Sequence, residues 1–250
     1  MIEIQGVSKS YHGDVKAVDN IDLSIDAGRI FGFLGPNGAG KTTTIKMITG
    51  ILSPDSGDIV LNGKSIIKDP FAAKSCFGLV PDDPNIFPRL RGVEYLRFLG
   101  DVYKVPSDIR AERIKKLASR LALTDALGDR IQSYSHGMRQ KLMIIGALIH
   151  DPDIWILDEP MTGLDPQSSY ELKTMMREHA DAGNTVFFST HVLEVAERIC
   201  DELAIIDRGH IRFSGTLAEM RELSRADDSL EAMFLRLVSE GSAASEEGQA

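Results

Sequence analysis

The sequence predicts an α/β fold: a mainly parallel sheet covered by helices, with an N-terminal antiparallel β subdomain before it and a helical insertion within it. Three observations predict this. Short apolar runs at 154–157 (Ile-Trp-Ile-Leu), 185–188 and 203–206 are separated by longer helix-like stretches, the pattern of strands buried on both faces. Near the start, Ile2 and Ile4, then Val18, Ile21, Leu23 and Ile25, alternate with polar residues, as in antiparallel strands with one wet face. From about Pro84 to His150 strand-like runs vanish, and Ile114, Leu117 and Leu121 fall on one helix face.

The elements follow in order. Asp26-Ala27-Gly28 is a turn signal, and residues 29–34 form a short buried strand that runs into Gly35. The apolar pattern resumes as a helix at Thr42. Residues 50–63 are punctuated by Gly, Pro, Asp and Ser around a strand at 58–61. After the helical insertion the core returns with the strands at 154–157, 185–188 and 203–206. Leu230, Met233, Phe234 and Leu237 give a last amphipathic helix, and the Ser-, Ala-, Glu- and Gly-rich tail 241–250 is expected to be disordered. The expected organisation is one domain over 1–238. Its α/β core spans about 1–83 and 151–225, its helical subdomain about 84–150, and 239–250 form the tail.

Charge and composition narrow the function. A net charge of −9 gives no general attraction to phosphate backbones, so nucleic acid is not an expected partner. The two cysteines, Cys76 and Cys200, fit no metal spacing and suit a reducing compartment. The first residues lack the basic-then-apolar pattern of a signal peptide. No apolar run approaches the roughly 18 residues of a membrane helix; the longest is 142–149. The expected location is the cytoplasm, with no direct membrane insertion.

Gly35-Pro36-Asn37-Gly38-Ala39-Gly40-Lys41-Thr42 matches the phosphate-binding P-loop in full, with a strand before it and a helix after it. Glycines let the backbone curl so that successive N–H groups face an anion, and the helix adds its positive end. Lys41 would reach the β- and γ-phosphates, and the Thr42 hydroxyl would ligate Mg²⁺. The strand at 154–157 ends in Asp158-Glu159. At the carboxyl end of a parallel strand, Asp158 would arrive beside the loop and hold Mg²⁺, while Glu159 would polarise the attacking water. Thus a P-loop NTPase core that binds ATP or GTP is expected. No Asn-Lys pair is available for the guanine-reading motif of a GTPase.

With these motifs in order, the chain resembles the ATP-binding cassette (ABC) ATPases over roughly 1–238. The resemblance implies roles for further residues. Tyr11 sits where the family stacks an aromatic ring on adenine, and Thr43 extends the phosphate loop. Pro81-Asp82 occupies the Q-loop, where Asp82 would approach nucleotide and Mg²⁺. Tyr134-Ser135-His136-Gly137-Met138 occupies the signature motif, usually Leu-Ser-Gly-Gly-Gln. Gly163-Leu164-Asp165 looks like the D-loop and His191 like the switch histidine. Ser135 and the Gly137 N–H would contact the γ-phosphate bound by a second copy, in a head-to-tail homodimer enclosing two ATP molecules. Asp82, His136 and Met138 depart from the usual Gln, Gly and Gln; such variants are similar to those of drug, lipid and polysaccharide exporters.

The function implied is the ATPase subunit of a transporter, peripheral on the cytoplasmic face through a separate membrane-spanning permease. The helical insertion would carry the docking surface, with residues 90–105, including Tyr95, Phe98 and Tyr103, as the contact region. Non-transport relatives acting on DNA or in translation usually carry a long coiled-coil insertion, zinc modules or two cassettes in one chain, none of which is visible here.

Overall fold

The computed structural model describes residues 1–11, 15–83, 87–222 and 231–237. Two sheets are stacked. The first is antiparallel, in the order β2-β1-β4-β5, built from β1 (Ile2–Tyr11), β2 (Val15–Ile25), β4 (Ser56–Leu61) and β5 (Lys64–Ser65). Its register pairs Ile2 with Ile25 and Ile4 with Leu23, so the alternating apolar residues point to one face and are buried. The second has the order β10-β9-β3-β8-β7-β6, from β3 (Ile30–Leu34), β6 (Phe77–Val80), β7 (Ile154–Leu157), β8 (Thr185–Thr190), β9 (Glu202–Asp207) and β10 (His210–Thr216). It is parallel except for β10, which pairs antiparallel with β9.

The period of two along the central strands divides the core. Phe31 and Phe33 of β3, Ile154 and Ile156 of β7 and Phe187 of β8 face the antiparallel sheet and the helix α1 (Lys41–Ile48). Trp155 and Leu157 of β7, with Val186 and Phe188 of β8, face the other way. There they meet α3 (Gly92–Val102), α4 (Ser107–Arg120), α5 (His136–Leu148) and α6 (Pro166–Asp181), all following the short α2 (Pro70–Lys74). Each large side chain removed from water contributes about 1.5–3 kcal/mol, so burial on both faces sets which strands are central.

Residues 87–150 contain helices and short 3₁₀ turns. Arg120 of α4 ties this helical part to the core: its guanidinium meets Glu171 at 2.5 Å and Glu178 at 2.6 Å, both on α6. At the sheet, α5 lies directly on β6. A Cβ on Gly78 would stand 2.0 Å from the carbonyl oxygen of Ala147, so only glycine permits the approach.

Several boundaries differ from the sequence expectation. Strands β6 and β10 went unpredicted. The strand expected at 185–188 runs on to Thr190, the one at 58–61 starts at Ser56, and α1 begins at Lys41. The apolar run 142–149 lies largely within the buried helix α5. Among the described residues no helix is long and apolar enough to cross a membrane. The helix 231–237 carries Met233 buried against β9 and α7 (Leu193–Ile199). Leu230 and the tail 239–250 lie outside the described residues.

Candidate functional site

The six-stranded sheet ends its parallel strands on one side, and the loop 35–40 leaves β3 there. Gly40 has φ +115, and a Cβ on it would stand 2.6 Å from the carbonyl oxygen of Ala17. Only glycine therefore turns the loop into α1 beneath the first sheet. No side chain caps α1, and no acidic residue lies in its first turn. The helix thus presents free N–H groups and its positive end, the arrangement that receives an anion.

A cleft of about 190 Å³ opens at this point, lined by Pro36, Asn37, Gly38, Gly40, Lys41, Thr42, Thr43, Ala17, Asp82 and Glu159. Its size suits a polyphosphate rather than a whole nucleotide. Gly35 and Ala39, also expected to bind nucleotide, do not line the cleft: the Ala39 N–H donates to Pro36 O at 3.2 Å. Tyr11 sits at the margin, half exposed, with its hydroxyl 3.5 Å from the Thr43 hydroxyl. Lys41 is buried and donates to the carbonyl oxygens of Gly35 at 2.7 Å and Pro36 at 3.2 Å. Burial pulls its pKa below the usual lysine range, and Glu159, Asp158 and Asp82 oppose that shift.

The carboxylates come from β7 and β6. The Asp158 N–H donates to Val80 O at 2.8 Å, which fixes the end of β7 against the end of β6, two residues before Asp82. Burial pushes the Asp158 carboxyl above the usual range, while hydrogen bonds from Ser189 and Thr42 act the other way. Glu159 has φ +47, a left-handed conformation that costs a non-glycine residue free energy and needs support from its surroundings. Two contacts orient its side chain: Oε2 lies 2.9 Å from His191 Nδ1, and Oε1 lies 3.8 Å from Lys41 Nζ.

Sequence reasoning missed Ser189 and Ala17. The Ser189 hydroxyl is fully buried; it donates to Asp158 Oδ1 at 2.6 Å and accepts the Glu159 N–H at 3.0 Å. The available signal was a serine near the carboxyl end of an otherwise apolar strand.

Among the described residues no group of three or more His, Cys, Asp or Glu side chains is arranged to hold a metal. The donors present are of another kind: the Thr42 hydroxyl hydrogen-bonded to the buried Asp158 carboxylate, with Asp82 close enough to raise that carboxyl's pKa. Few protein oxygens, with phosphate and water completing the shell, is how Mg²⁺ is usually bound beside a nucleotide. The residues fit that ion.

Ser135 and Gly137 do not line this cleft. They sit at the start of α5, where Ser135 caps the helix by accepting the Met138 N–H at 3.2 Å. Asp165 caps α6 through Ser168, with N–H to Oδ1 at 2.8 Å, and Lys141 of α5 meets its Oδ2 at 2.9 Å; these bonds hold its carboxyl well below the usual range. In the proposed contact region, Tyr95 is buried and Tyr103 stacks on His150 with ring centroids 3.6 Å apart, so both belong to packing. Phe98 and Val102 of α3, with Phe87, are exposed instead.

Comparison with known proteins gives a consistent result. A family model described as ABC transporter matches residues 18–162. The chain is 40% identical over 209 residues to the Nod factor export ATP-binding protein I of Cupriavidus metallidurans, covering 84% of this chain and 69% of that one. It is 36% identical over 220 residues to the linearmycin resistance ATP-binding protein LnrL of Bacillus subtilis, covering 88% and 70%. A solved structure of an ATP-binding subunit of an ABC transporter superposes with a TM-score of 0.90 at 31% identity, covering 95% of this chain and 99% of that one.

Proposed function

The chain belongs to the ABC transporter family, and from that premise we propose that it is the ATP-binding and ATP-hydrolysing subunit of an exporter, working on a separate membrane-spanning permease. The observation that carries this reading is the placement of Lys41 and Glu159: both line the P-loop cleft, with their charged ends 3.8 Å apart. Export is supported by those relatives that are named for export or for drug resistance.

In this reading the triphosphate of ATP lies along residues 36–43, and Lys41 leaves the carbonyl oxygens of Gly35 and Pro36 for the β- and γ-phosphate oxygens. Thr42 and Asp158, with Asp82, would hold Mg²⁺, which neutralises charge on those oxygens. Glu159 accepts a proton from the attacking water. The water oxygen bonds to the γ-phosphorus as the bond to the β-phosphate oxygen breaks, giving ADP and phosphate. His191, resting on Glu159 in the free chain, would turn to the γ-phosphate, and Tyr11 would stack on adenine.

Ser135 and Gly137, which do not line their own cleft, would complete that of a second copy packed head to tail. The capped but otherwise open N-terminus of α5 suits a γ-phosphate. We treat residues 1–238 as one cassette, with about 84–150 as the arm that meets the permease. The exposed group Phe87, Phe98 and Val102 is its apolar contact, Phe87 and Phe98 touching edge-on at 5.9 Å. Through that contact the subunit would lie on the cytoplasmic face of the membrane.

The test is size-exclusion chromatography of the Glu159→Gln variant with and without ATP, beside affinity purification of the tagged wild-type chain from solubilised membranes. An ATP-dependent shift to a dimer and recovery of a polytopic membrane protein, lost with Phe98→Asp, are expected. A chain that stays monomeric with ATP and brings down no membrane protein would overturn the reading.

A further inference from the structure

The start of α5 and the loop that follows Glu159 are interlocked within one chain. Gly163 lies in that loop with φ +76, and a Cβ on it would stand 2.2 Å from Cδ2 of His136. The imidazole of His136 therefore rests on the bare Cα of Gly163. The contact is reciprocal one residue on: a Cβ on Gly137 would stand 2.5 Å from the carbonyl oxygen of Gly163. Two polar contacts flank the pair. Gln140 Nε2 donates to Pro160 O at 3.3 Å, and Lys141 Nζ meets Asp165 Oδ2 at 2.9 Å. Consecutive turns of α5 thus grip the segment 160–165 from its first residue to its last.

We propose that His136 is a positioning residue. By filling the space above Gly163 it joins the N-terminus of α5 to the loop after Glu159, so that what binds at that N-terminus sets the placement of Glu159 in the same chain. The proposal rests on the reading above, in which α5 faces the nucleotide of a second copy. It extends that reading: each copy would sense its partner's γ-phosphate through α5 and pass the displacement through Gly163 to its own water-activating carboxylate.

The physical case rests on stiffness and direction. A side chain lying on a glycine Cα opposes relative sliding, because moving it aside forfeits its van der Waals contacts. Glu159 stands immediately before Pro160, in a left-handed conformation that its neighbours must maintain. A displacement of the 160–165 loop therefore reaches Glu159 through one proline, whose ring fixes φ and carries the movement forward.

The test is a double-mutant cycle of His136→Ala and Gly163→Ala, read in both turnover and nucleotide binding. His136→Ala is expected to lower kcat about tenfold at unchanged KM, the size of coupling common for residues in contact. Gly163→Ala, strained at φ +76 by any side chain, is expected to cost more alone than His136→Ala, and the double variant to lose less than the two single losses combined. His136→Gln, which restores a planar group over Gly163, is expected to recover most of the turnover. Additive losses, or a rise in KM with kcat unchanged, would overturn the proposal. Dimer formation is followed separately with Glu159→Gln and ATP. Failure there counts against the head-to-tail reading, while non-additivity between residues 136 and 163 still decides whether the latch acts on Glu159.

Discussion

The hydroxyl of Ser189 donates to Asp158 Oδ1 at 2.6 Å, and its oxygen takes the N–H of Glu159 at 3.0 Å. One buried atom thus orients a carboxylate suited to a metal and holds the backbone of the next residue in a left-handed turn. Asp158 and Glu159 are neighbours in sequence with different partners, and the turn at Glu159 separates the directions in which their side chains point. Asp158 is buried beside Thr42, whereas Glu159 reaches the cleft between Lys41 and His191.

Ser189→Ala is therefore expected to lower ATP turnover while leaving nucleotide affinity close to wild type. Loss of a buried hydrogen bond to a charged group costs about 1.5–3 kcal/mol, and here part of that cost appears as freedom of Glu159. Steady-state phosphate release and equilibrium nucleotide binding separate the two effects. Unchanged kcat would show that Glu159 holds its turn without Ser189.

Glu159→Gln is expected to keep ATP binding and lose turnover by a factor of about 10²–10⁴, the usual contribution of a catalytic base. The amide keeps the size of the side chain, so the contact with His191 survives in part. Lys41→Ala is expected to act differently, weakening nucleotide binding itself, because its ammonium is the cation at the floor of the cleft. Near-normal hydrolysis by the first variant, or unchanged affinity in the second, would assign these roles elsewhere.

The legible and illegible parts of this chain differ for physical reasons. The P-loop could be read because curling a backbone around an anion demands glycines at fixed spacing, and the placement of Asp158-Glu159 beside it because both follow an apolar run at the carboxyl end of a parallel strand. Strand β6 could not be read. It is four residues long with Gly78 inside it, and glycine is a poor strand residue until α5 is seen lying on it. Ser189 looks like part of a strand until the 158–159 turn is placed beside it. Tyr95 and Tyr103 looked like a contact surface because an aromatic stripe has the same sequence pattern whether it faces a partner or its own core. Contacts between segments distant in sequence decided each of these cases.

Asp158→Asn is expected to stabilise the free protein while abolishing turnover. Burial holds the Asp158 carboxyl above its ordinary range. Between the unfolded and folded values the folded chain binds more protons, so stability falls as pH rises through the folded value. Above the folded value the cost of the buried charge is fully present, and the asparagine variant avoids it. Thermal melts without nucleotide or metal should show a higher Tm for the variant at pH 7 and convergence with wild type as pH falls toward the ordinary carboxylate range. A lower Tm for the variant at pH 7 would mean that the bonds from Ser189 and Thr42 outweigh burial.

Gly78→Ala offers a test of how the helical part is fixed to the sheet. An added Cβ would lie 2.0 Å from the carbonyl oxygen of Ala147, 2.8 Å from its carbon and 3.2 Å from its Cα. All three are backbone atoms within α5, so no rotamer change relieves the clash. Either α5 lifts from β6 or β6 leaves β7. Overpacking of this kind costs about 1–3 kcal/mol, and the upper end applies where the obstacle is backbone. The displacement also has a direction: α5 carries Ser135, and β6 leads to Asp82 through Val80, whose carbonyl receives the Asp158 N–H at 2.8 Å. Loss of stability in urea should therefore come with loss of turnover, although residue 78 touches no nucleotide. If stability falls and kcat does not, α5 moves without carrying Asp158, and the α5 N-terminus and the P-loop cleft are mechanically independent at this edge of the sheet.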